Sequence, residues 1–91
     1  MTWDASKRLK TLKERGLDFQ DAETVFDGPT LTLVDDRQDY GESRFQTYGF
    51  LAGRLIAIVW TPRENSRRVI SMRHCHEREA RKVVPRMDRS G

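Results

Sequence analysis

The sequence is poor in cysteine and has no long apolar run. Among its 91 residues there is a single cysteine, Cys75. One cysteine excludes an internal disulfide framework and a cysteine metal cluster, and it favours a reducing compartment. The longest fully apolar run, residues 55–60, falls far below the roughly 20 residues that a membrane-spanning helix needs. Since no signal peptide is recognisable either, we expect a soluble, cytoplasmic protein.

The chain is also too short for two independent hydrophobic cores. We expect residues 1–91 to form one domain, with any ligand cleft at its surface. Acidic and basic residues are unevenly divided along the chain. Residues 1–51 contain 7 Lys and Arg against 10 Asp and Glu, whereas residues 52–91 contain 10 against 4. A basic C-terminal half suits a polyanion such as nucleic acid, although many basic domains bind none.

Capping residues and apolar spacing predict three helices, over residues 5–14, 19–27 and 76–84. Asp4 and Asp18 are the N-caps of the first two helices, and Gly16 ends the first. These two helices are predicted to form an N-terminal helical hairpin. Pro85 is expected to interrupt the last helix, and residues 86–91 have the composition of a disordered tail.

Between the helices, the apolar period changes to that of strands. Alternation and β-branched residues predict four strands, over residues 30–34, 43–50, 54–61 and 67–73. Their short connections indicate an antiparallel meander, with the third strand, which is apolar on both faces, at its centre. The predicted fold is therefore α+β, with an N-terminal helical hairpin, a four-stranded antiparallel sheet and a C-terminal helix. Its helices cover one face of the sheet and leave the other open for a ligand.

The strand over residues 67–73 and the residues after it carry the strongest functional pattern. Arginines stand at both ends of this apolar strand, and histidines and glutamates follow it. Guanidinium groups neutralise phosphate and imidazole moves protons, so the combination suits a phosphodiester. Strand alternation predicts Arg67, Ser71 and Arg73 on one face and Arg68 on the other. On this basis Arg73 is a candidate phosphate clamp, and Ser71 is a positioning donor beside it.

Each of these cations also has a plainer interpretation. Arginines at strand ends are often solvated or paired with carboxylates such as Glu79. Arg44 on the second strand can lie opposite the phosphate clamp, but it can equally pair with Glu42. Lys13 and Arg15 stabilise the negative end of the first helix, and they touch phosphate only if that helix borders the open face.

Two histidines flank Cys75. His74 or His76 fits a general acid or base, with Glu79 to orient it, but an exposed histidine pair at a helix start is an equally good interpretation. A metal site is a weaker interpretation, because the neighbouring carboxylates do not complete a recognisable ligand set. Cys75 fits a partly buried structural cysteine better than a thiolate nucleophile.

Taken in order, these residues and others along the chain resemble a known family, the BrnT toxins of bacterial type II toxin–antitoxin systems. No single motif is specific, but the ordered set keeps its spacing over nearly the whole chain. The residues that carry the resemblance are Trp3-Asp4, Lys7, Lys13, Gly16, Phe19, Ala22, Phe26-Asp27, Pro29, Asp36, Glu42-x-Arg44, Gly49, Thr61-x-Arg63, Arg68-x-Ile70-Ser71-x-Arg73 and Arg78-Glu79.

The resemblance implies a RelE-like fold and an endoribonuclease that inhibits translation and growth. We expect this ribonuclease to work without a metal or cofactor. It also implies a small antitoxin of the BrnA type as partner. The ribbon-helix-helix portion of that antitoxin binds DNA, so this chain would reach DNA only indirectly. The predicted catalytic residues are Arg73, His74, Arg44 and Glu79, and the predicted RNA-binding residues are Lys13, Arg15, Arg63, Arg67 and Ser71. The alternative is a catalytically degenerate module that binds the antitoxin and acts with it in transcriptional autoregulation.

Overall fold

The computed structural model describes residues 1–87 and contains a five-stranded sheet with three α-helices. The strands are β1 (Thr2–Trp3), β2 (Thr30–Val34), β3 (Phe45–Leu51), β4 (Arg54–Arg63) and β5 (Ser66–His74), and the helices are α1 (Ala5–Arg15), α2 (Ala22–Asp27) and α3 (Glu77–Met87). The strands lie in the order β1-β5-β4-β3-β2, with β1 parallel to β5 and the other neighbours antiparallel. No helix among the described residues is long and apolar enough to cross a membrane.

The sheet corrects the predicted fold, because four antiparallel strands were expected and five mixed ones are present. The additional strand is β1, in which Thr2 pairs with Arg68 and Trp3 with Val69. A strand of two residues has no alternation that a sequence pattern can show, so the sequence does not predict it. As a result β5 is an interior strand with a neighbour on each side.

The predicted N-terminal helical hairpin is wrong as well. Helix α1 is capped by Asp4, whose carboxylate accepts the Lys7 N–H at 3.1 Å, and it ends at Gly16 with a φ of 70°, both as predicted. After it, Asp18 accepts the N–H two residues later and so begins a single 3-10 turn, Phe19–Asp21. The six-residue α2 that follows is too short to pair with α1 along its length.

Helices pack on both faces of the sheet, so the expected open face is partly covered. One apolar cluster lies between the sheet and the segment from Leu17 to α2, with Phe19 and Ile58 fully buried. A second cluster lies between the opposite face and α3, with Ala57 and Met87 buried. We call these the first and second faces of the sheet. Alternate residues of β4 point to different clusters, which explains why this central strand is apolar throughout.

Pro85 lies inside α3, where an interruption was predicted. The helix continues to Met87 because Val83 and Met87 are both buried against the second face. Their burial offsets the backbone hydrogen bond that proline does not donate. Arg86 therefore belongs to the helix, and residues 88–91 of the expected disordered tail lie outside the described residues.

A β-bulge in β5 changes the direction of the side chains on either side of it. The register passes from the Val59–Ser71 pair to the Trp60–Val69 pair, so that Ile70 is an extra residue on β5. Two residues of β5 then oppose one of β4, and the alternation of faces shifts by one position.

This bulge overturns the predicted arrangement of arginines. Val69 and Met72 both belong to the first-face cluster although they are three residues apart. Their neighbours Arg68 and Arg73 therefore both lie on the second face, whereas Arg67 lies on the first. Arg67 and Arg73 had been predicted to share a face, and the prediction is wrong because simple alternation does not include the extra residue.

Helix α2 packs tightly against β3 at Gly49. A Cβ atom at this position would overlap Cγ1 of Val25. Both residues are buried, so neither has room to move outward. Glycine is thus required here for close packing rather than for backbone flexibility.

Candidate functional site

A row of three side chains across the second face forms the base of the candidate site. Tyr48 on β3, Ala57 on β4 and Arg73 on β5 are register partners, and partners on neighbouring strands share a face. Ala57 contributes only a methyl group, which leaves space between the phenol and the guanidinium. Glu79, in the first turn of α3, bonds to both of these larger side chains.

Arg73 and Glu79 form a bidentate ion pair. Nη1 and Nη2 of the arginine donate to Oε1 and Oε2 of the glutamate, each at 2.7 Å. These hydrogen bonds are the main reason that the pKa of Glu79 falls from 4.5 to about 2. They also raise the pKa of Arg73 above its ordinary value. At neutral pH the pair is therefore a carboxylate and a guanidinium, and the carboxylate is a weak base.

Tyr48 extends this hydrogen-bonded network. Its hydroxyl donates to Oε2 of Glu79 at 3.1 Å and accepts from Nε2 of Gln46 at 2.6 Å. Burial, followed by the charge of Glu79, raises the pKa of Tyr48. The phenol consequently stays protonated at neutral pH and is a hydrogen-bond donor beside Arg73.

The network forms one wall of a cleft of about 570 Å³. Its lining residues are Tyr48, Arg73, His76, Arg78, Glu79, Lys82 and Val83. The lining thus has three basic side chains and one carboxylate, and that carboxylate is already paired with Arg73. An anion is the ligand that such a cleft favours, and His76 places an imidazole in the same lining.

The two histidines lie in different places. His76 is exposed and lines the cleft. His74 pairs with Ile56 of β4, which belongs to the first-face cluster, and therefore points away from the cleft. Its Nδ1 is buried and has no hydrogen-bond partner among residues 1–87. The sequence favoured His74 because it directly follows Arg73, but consecutive residues of a strand point to opposite faces.

Cys75 lies between them and packs against the second apolar cluster. Burial, followed by the charge of Glu79, raises the pKa of its thiol to about 12. The thiolate is the nucleophilic form of cysteine, and it is almost absent at neutral pH when the pKa is this high. The structure therefore agrees with the interpretation of Cys75 as a structural residue.

Two of the predicted residues, Arg44 and Arg63, lie outside the cleft. Nε of Arg44 donates to Oε2 of Glu42 at 3.3 Å, and its guanidinium stacks 4.0 Å from the Tyr40 ring centroid. Nη2 of Arg63 donates to Oε1 of the same Glu42 at 3.1 Å. The structure thus brings these two arginines together with each other, not with Arg73.

The remaining strand residues are divided between the faces. Ser71 lies on the second face opposite Val59, one cross-strand row away from Arg73. Arg67 lies over the aromatic rings of Phe26 and Trp60, 4.0 and 5.0 Å from their centroids. Those aromatic residues pack against the first-face cluster, so Arg67 covers the first face rather than lining the cleft.

The candidates on α1 are also outside the cleft. Nη1 of Arg15 donates to the Met72 carbonyl at 2.8 Å, which fastens the end of α1 to β5. Lys13 is exposed on the same helix. Neither residue is among those that line the cleft around Arg73.

Sequence reasoning missed Tyr48, Arg78 and Lys82 as site residues. Tyr48 was recognised only as a strand residue. It lies two positions after Gln46, so strand alternation predicts that both side chains share a face. Lys82 lies three residues after Glu79, which is the spacing of side chains on one helix face. Residues 1–87 contain no group of three or more His, Cys, Asp or Glu side chains arranged to hold a metal ion.

Comparison with known proteins found a matching family model. It is described as the ribonuclease toxin, BrnT, of type II toxin–antitoxin systems, and it matches residues 3–79. This range includes strands β2 to β5, Arg73 and Glu79, but it starts within β1 and ends before Lys82. A search of curated proteins found no match.

Proposed function

Because the chain belongs to the BrnT family of ribonuclease toxins of type II toxin–antitoxin systems, we propose that its cleft is the active site of an endoribonuclease. The observation that carries the proposal is the position of Arg73, held by Glu79 among Arg78, Lys82 and His76. Cleavage of RNA without a metal requires cations to stabilise the phosphorane and groups to move protons. We propose that this cleft supplies both and that the reaction is metal-independent.

Arg73 is the proposed phosphate ligand. A guanidinium has five N–H donors, and Glu79 accepts two hydrogen bonds from it. The remaining donors can bind a phosphoryl oxygen while the ion pair is intact. Glu79 is then a positioning residue, because it sets the plane of the guanidinium without touching the substrate. The single O–H of Tyr48 donates to Glu79, so this phenol helps to hold the carboxylate that positions Arg73.

His76 is the proposed proton-transfer group, in place of His74 or Glu79. Glu79 is a poor base because its pKa is held at about 2, and His74 lies on the opposite face. In the proposed reaction His76 accepts the proton of the 2′-hydroxyl as its oxygen attacks phosphorus. The 5′-oxygen then leaves with a proton from solvent, and a 2′,3′-cyclic phosphate is formed.

The antitoxin is the second ligand of this surface. Membership of the family implies that an antitoxin exists, and we propose that it is of the BrnA type, with a ribbon-helix-helix portion that contacts operator DNA. We further propose that it covers the basic cleft with acidic side chains and so keeps RNA out. Such an interface weakens as salt is added. Loss of RNA cleavage would then restore translation and growth in the cytoplasm.

The test measures cleavage of purified RNA, with and without a chelator, by wild type and by matched variants. Arg73→Gln and His76→Gln should each lower kcat about 100-fold, because each removes a group that acts in the transition state. His74→Gln removes the same side chain from outside the cleft and is the control. Chelator should change no rate.

Two results would contradict the proposal. If folded His76→Gln keeps the rate and pH profile of wild type, protons are moved by another group. If wild-type protein that binds its antitoxin cleaves no RNA and arrests no growth, the chain is the non-catalytic binding module that the sequence left as the alternative.

A further inference from the structure

A second basic cavity lies on the same face of the sheet as the cleft. It has a volume of about 170 Å³ and lies where the start of α1 meets β4 and β5. We call it the notch, and its charged lining residues are Asp4, Lys7, Glu42, Arg44, Arg63 and Arg68. Four of these six are cationic, so the notch has a net positive charge.

The acidic side chains of the notch do not neutralise all of its cations. Glu42 is shared by Arg44 and Arg63, and hydrogen bonds, first from Arg63 and then from Arg44, lower its pKa. Arg68 is half-buried, and within residues 1–87 its guanidinium has no ion pair or side-chain hydrogen bond. The ammonium group of Lys7 likewise has no acidic partner in the described part of the chain. Two donors therefore face this cavity without a ligand of their own.

The bulge at Ile70 connects the notch with the cleft. Without the extra residue, Arg68 and Arg73 would point to opposite faces, since five positions separate them. With it, both lie on the second face, and Ser71 lies between them. Along an extended strand their separation is about 15 Å. A row of hydrogen-bond donors thus runs from one cavity to the other along β5.

From this row we infer that the notch is a second phosphate subsite, which binds the RNA backbone several nucleotides from the bond that is cut. The inference rests on the proposed ribonuclease function. A stacked strand has one phosphate per about 3.4 Å, so about 15 Å corresponds to roughly four nucleotides. A single RNA strand can place one phosphate in each cavity. Two basic cavities on one face of the sheet therefore favour RNA over an isolated anion as the ligand.

The experiment compares two substrates, a dinucleotide that reaches only the cleft and a decanucleotide that reaches both cavities. Arg68→Gln should lower the ratio of decanucleotide to dinucleotide kcat/KM about tenfold, because one charged hydrogen bond to phosphate is lost. The loss should appear in KM rather than kcat. For a single strand, the slope of log affinity against log salt should fall by about 0.7 for the lost contact. Lys7→Gln, at the exposed start of α1, should act in the same direction.

Arg54→Gln is the matched control, since it makes the same change at the β3–β4 turn, outside both cavities. Equal behaviour of folded Arg68→Gln and Arg54→Gln towards both substrates would overturn the inference. The inference would also be overturned if Arg68→Gln weakened binding of the antitoxin but not of RNA. The ligand of the notch would then be a protein.

Binding of a 2′-O-methyl decanucleotide, which has no nucleophilic hydroxyl, separates this inference from the proposed function. If wild type cuts neither substrate but Arg68→Gln still weakens this binding about tenfold relative to Arg54→Gln, the ribonuclease proposal fails and the notch remains a nucleic-acid subsite. If the enzyme is active and binding is unchanged, the notch is not a subsite.

Discussion

Replacing Glu79 by glutamine tests the ion pair around which the cleft is built. The substitution keeps the size of the side chain and removes its charge. Arg73 then loses a bidentate carboxylate partner at 2.7 Å and stays partly buried without a counter-charge. We expect the variant to fold and to be less stable than wild type at neutral pH.

The magnitude follows from the pKa of Glu79, which falls from 4.5 to about 2 on folding. If the whole shift counted, it would be worth about 3 kcal/mol. The side chains of Arg73 and Glu79 are 34% and 23% exposed, so solvent screening reduces the value. We expect a loss of about 1–2 kcal/mol in the free energy of unfolding at pH 7.

The sign of the pKa shift also determines how this stabilisation changes with pH. A carboxyl whose pKa is lower in the folded chain stabilises the fold above its unfolded pKa, and this contribution is lost as pH falls through the folded value. For Glu79 the stabilisation should be complete above pH 4.5 and should disappear towards pH 2. The difference between wild type and variant should therefore shrink over the same interval.

The assay is urea unfolding at a series of pH values, with Glu77→Gln as the matched control. Glu77 pairs with Arg81 on the same helix at 2.6 Å, but those side chains are 79% and 75% exposed. An exposed pair of this kind contributes at most about 0.5 kcal/mol. If the two variants lose equal stability at pH 7, or if the Glu79 difference is the same at pH 3 and pH 7, the reasoning about the ion pair is refuted.

Two further predictions concern packing and the thiol. Gly49→Ala should lower the free energy of unfolding in urea by about 1–3 kcal/mol, because its methyl group overlaps Val25. Gly28→Ala makes only an ordinary contact at 3.8 Å and should be nearly neutral, so equal losses would refute the packing argument. Cys75 should react with iodoacetamide at pH 8 about 100-fold or more slowly in the folded protein than in urea, because burial raises its pKa to about 12; equal rates would show that the thiol is not held protonated.

The sequence predicted local features well where a single residue determines them. Strand β2 has the expected bounds, Thr30–Val34, because alternation is uninterrupted there. The cap at Asp4 and the stop at Gly16 follow from short-range hydrogen bonds and a left-handed φ, and both are confirmed. Arg73 and Glu79 were both candidates from the sequence, and the structure brings them together as an ion pair.

The features of the fold and of the site that the sequence did not predict depend on contacts between distant segments. The bulge at Ile70 exists only with respect to β4, so β5 by itself could not reveal which arginines share a face. Helix α3 covers the second face through Met87, beyond a proline that local rules treat as a stop. Tyr48 becomes a site residue only because Ala57 separates it from Arg73 by one small side chain. Each of these is a tertiary effect that outweighs local preference.

The position of α3 has a consequence during synthesis. Translation delivers Tyr48 and Arg73 before Glu79 and Lys82, which lie on the helix that follows the last strand. A nascent chain interrupted before residue 77 has a basic sheet face but no assembled cleft. The chain emerges while surrounded by ribosomal RNA and its own messenger. For a ribonuclease, this order delays assembly of the site until α3 has left the ribosome and docked.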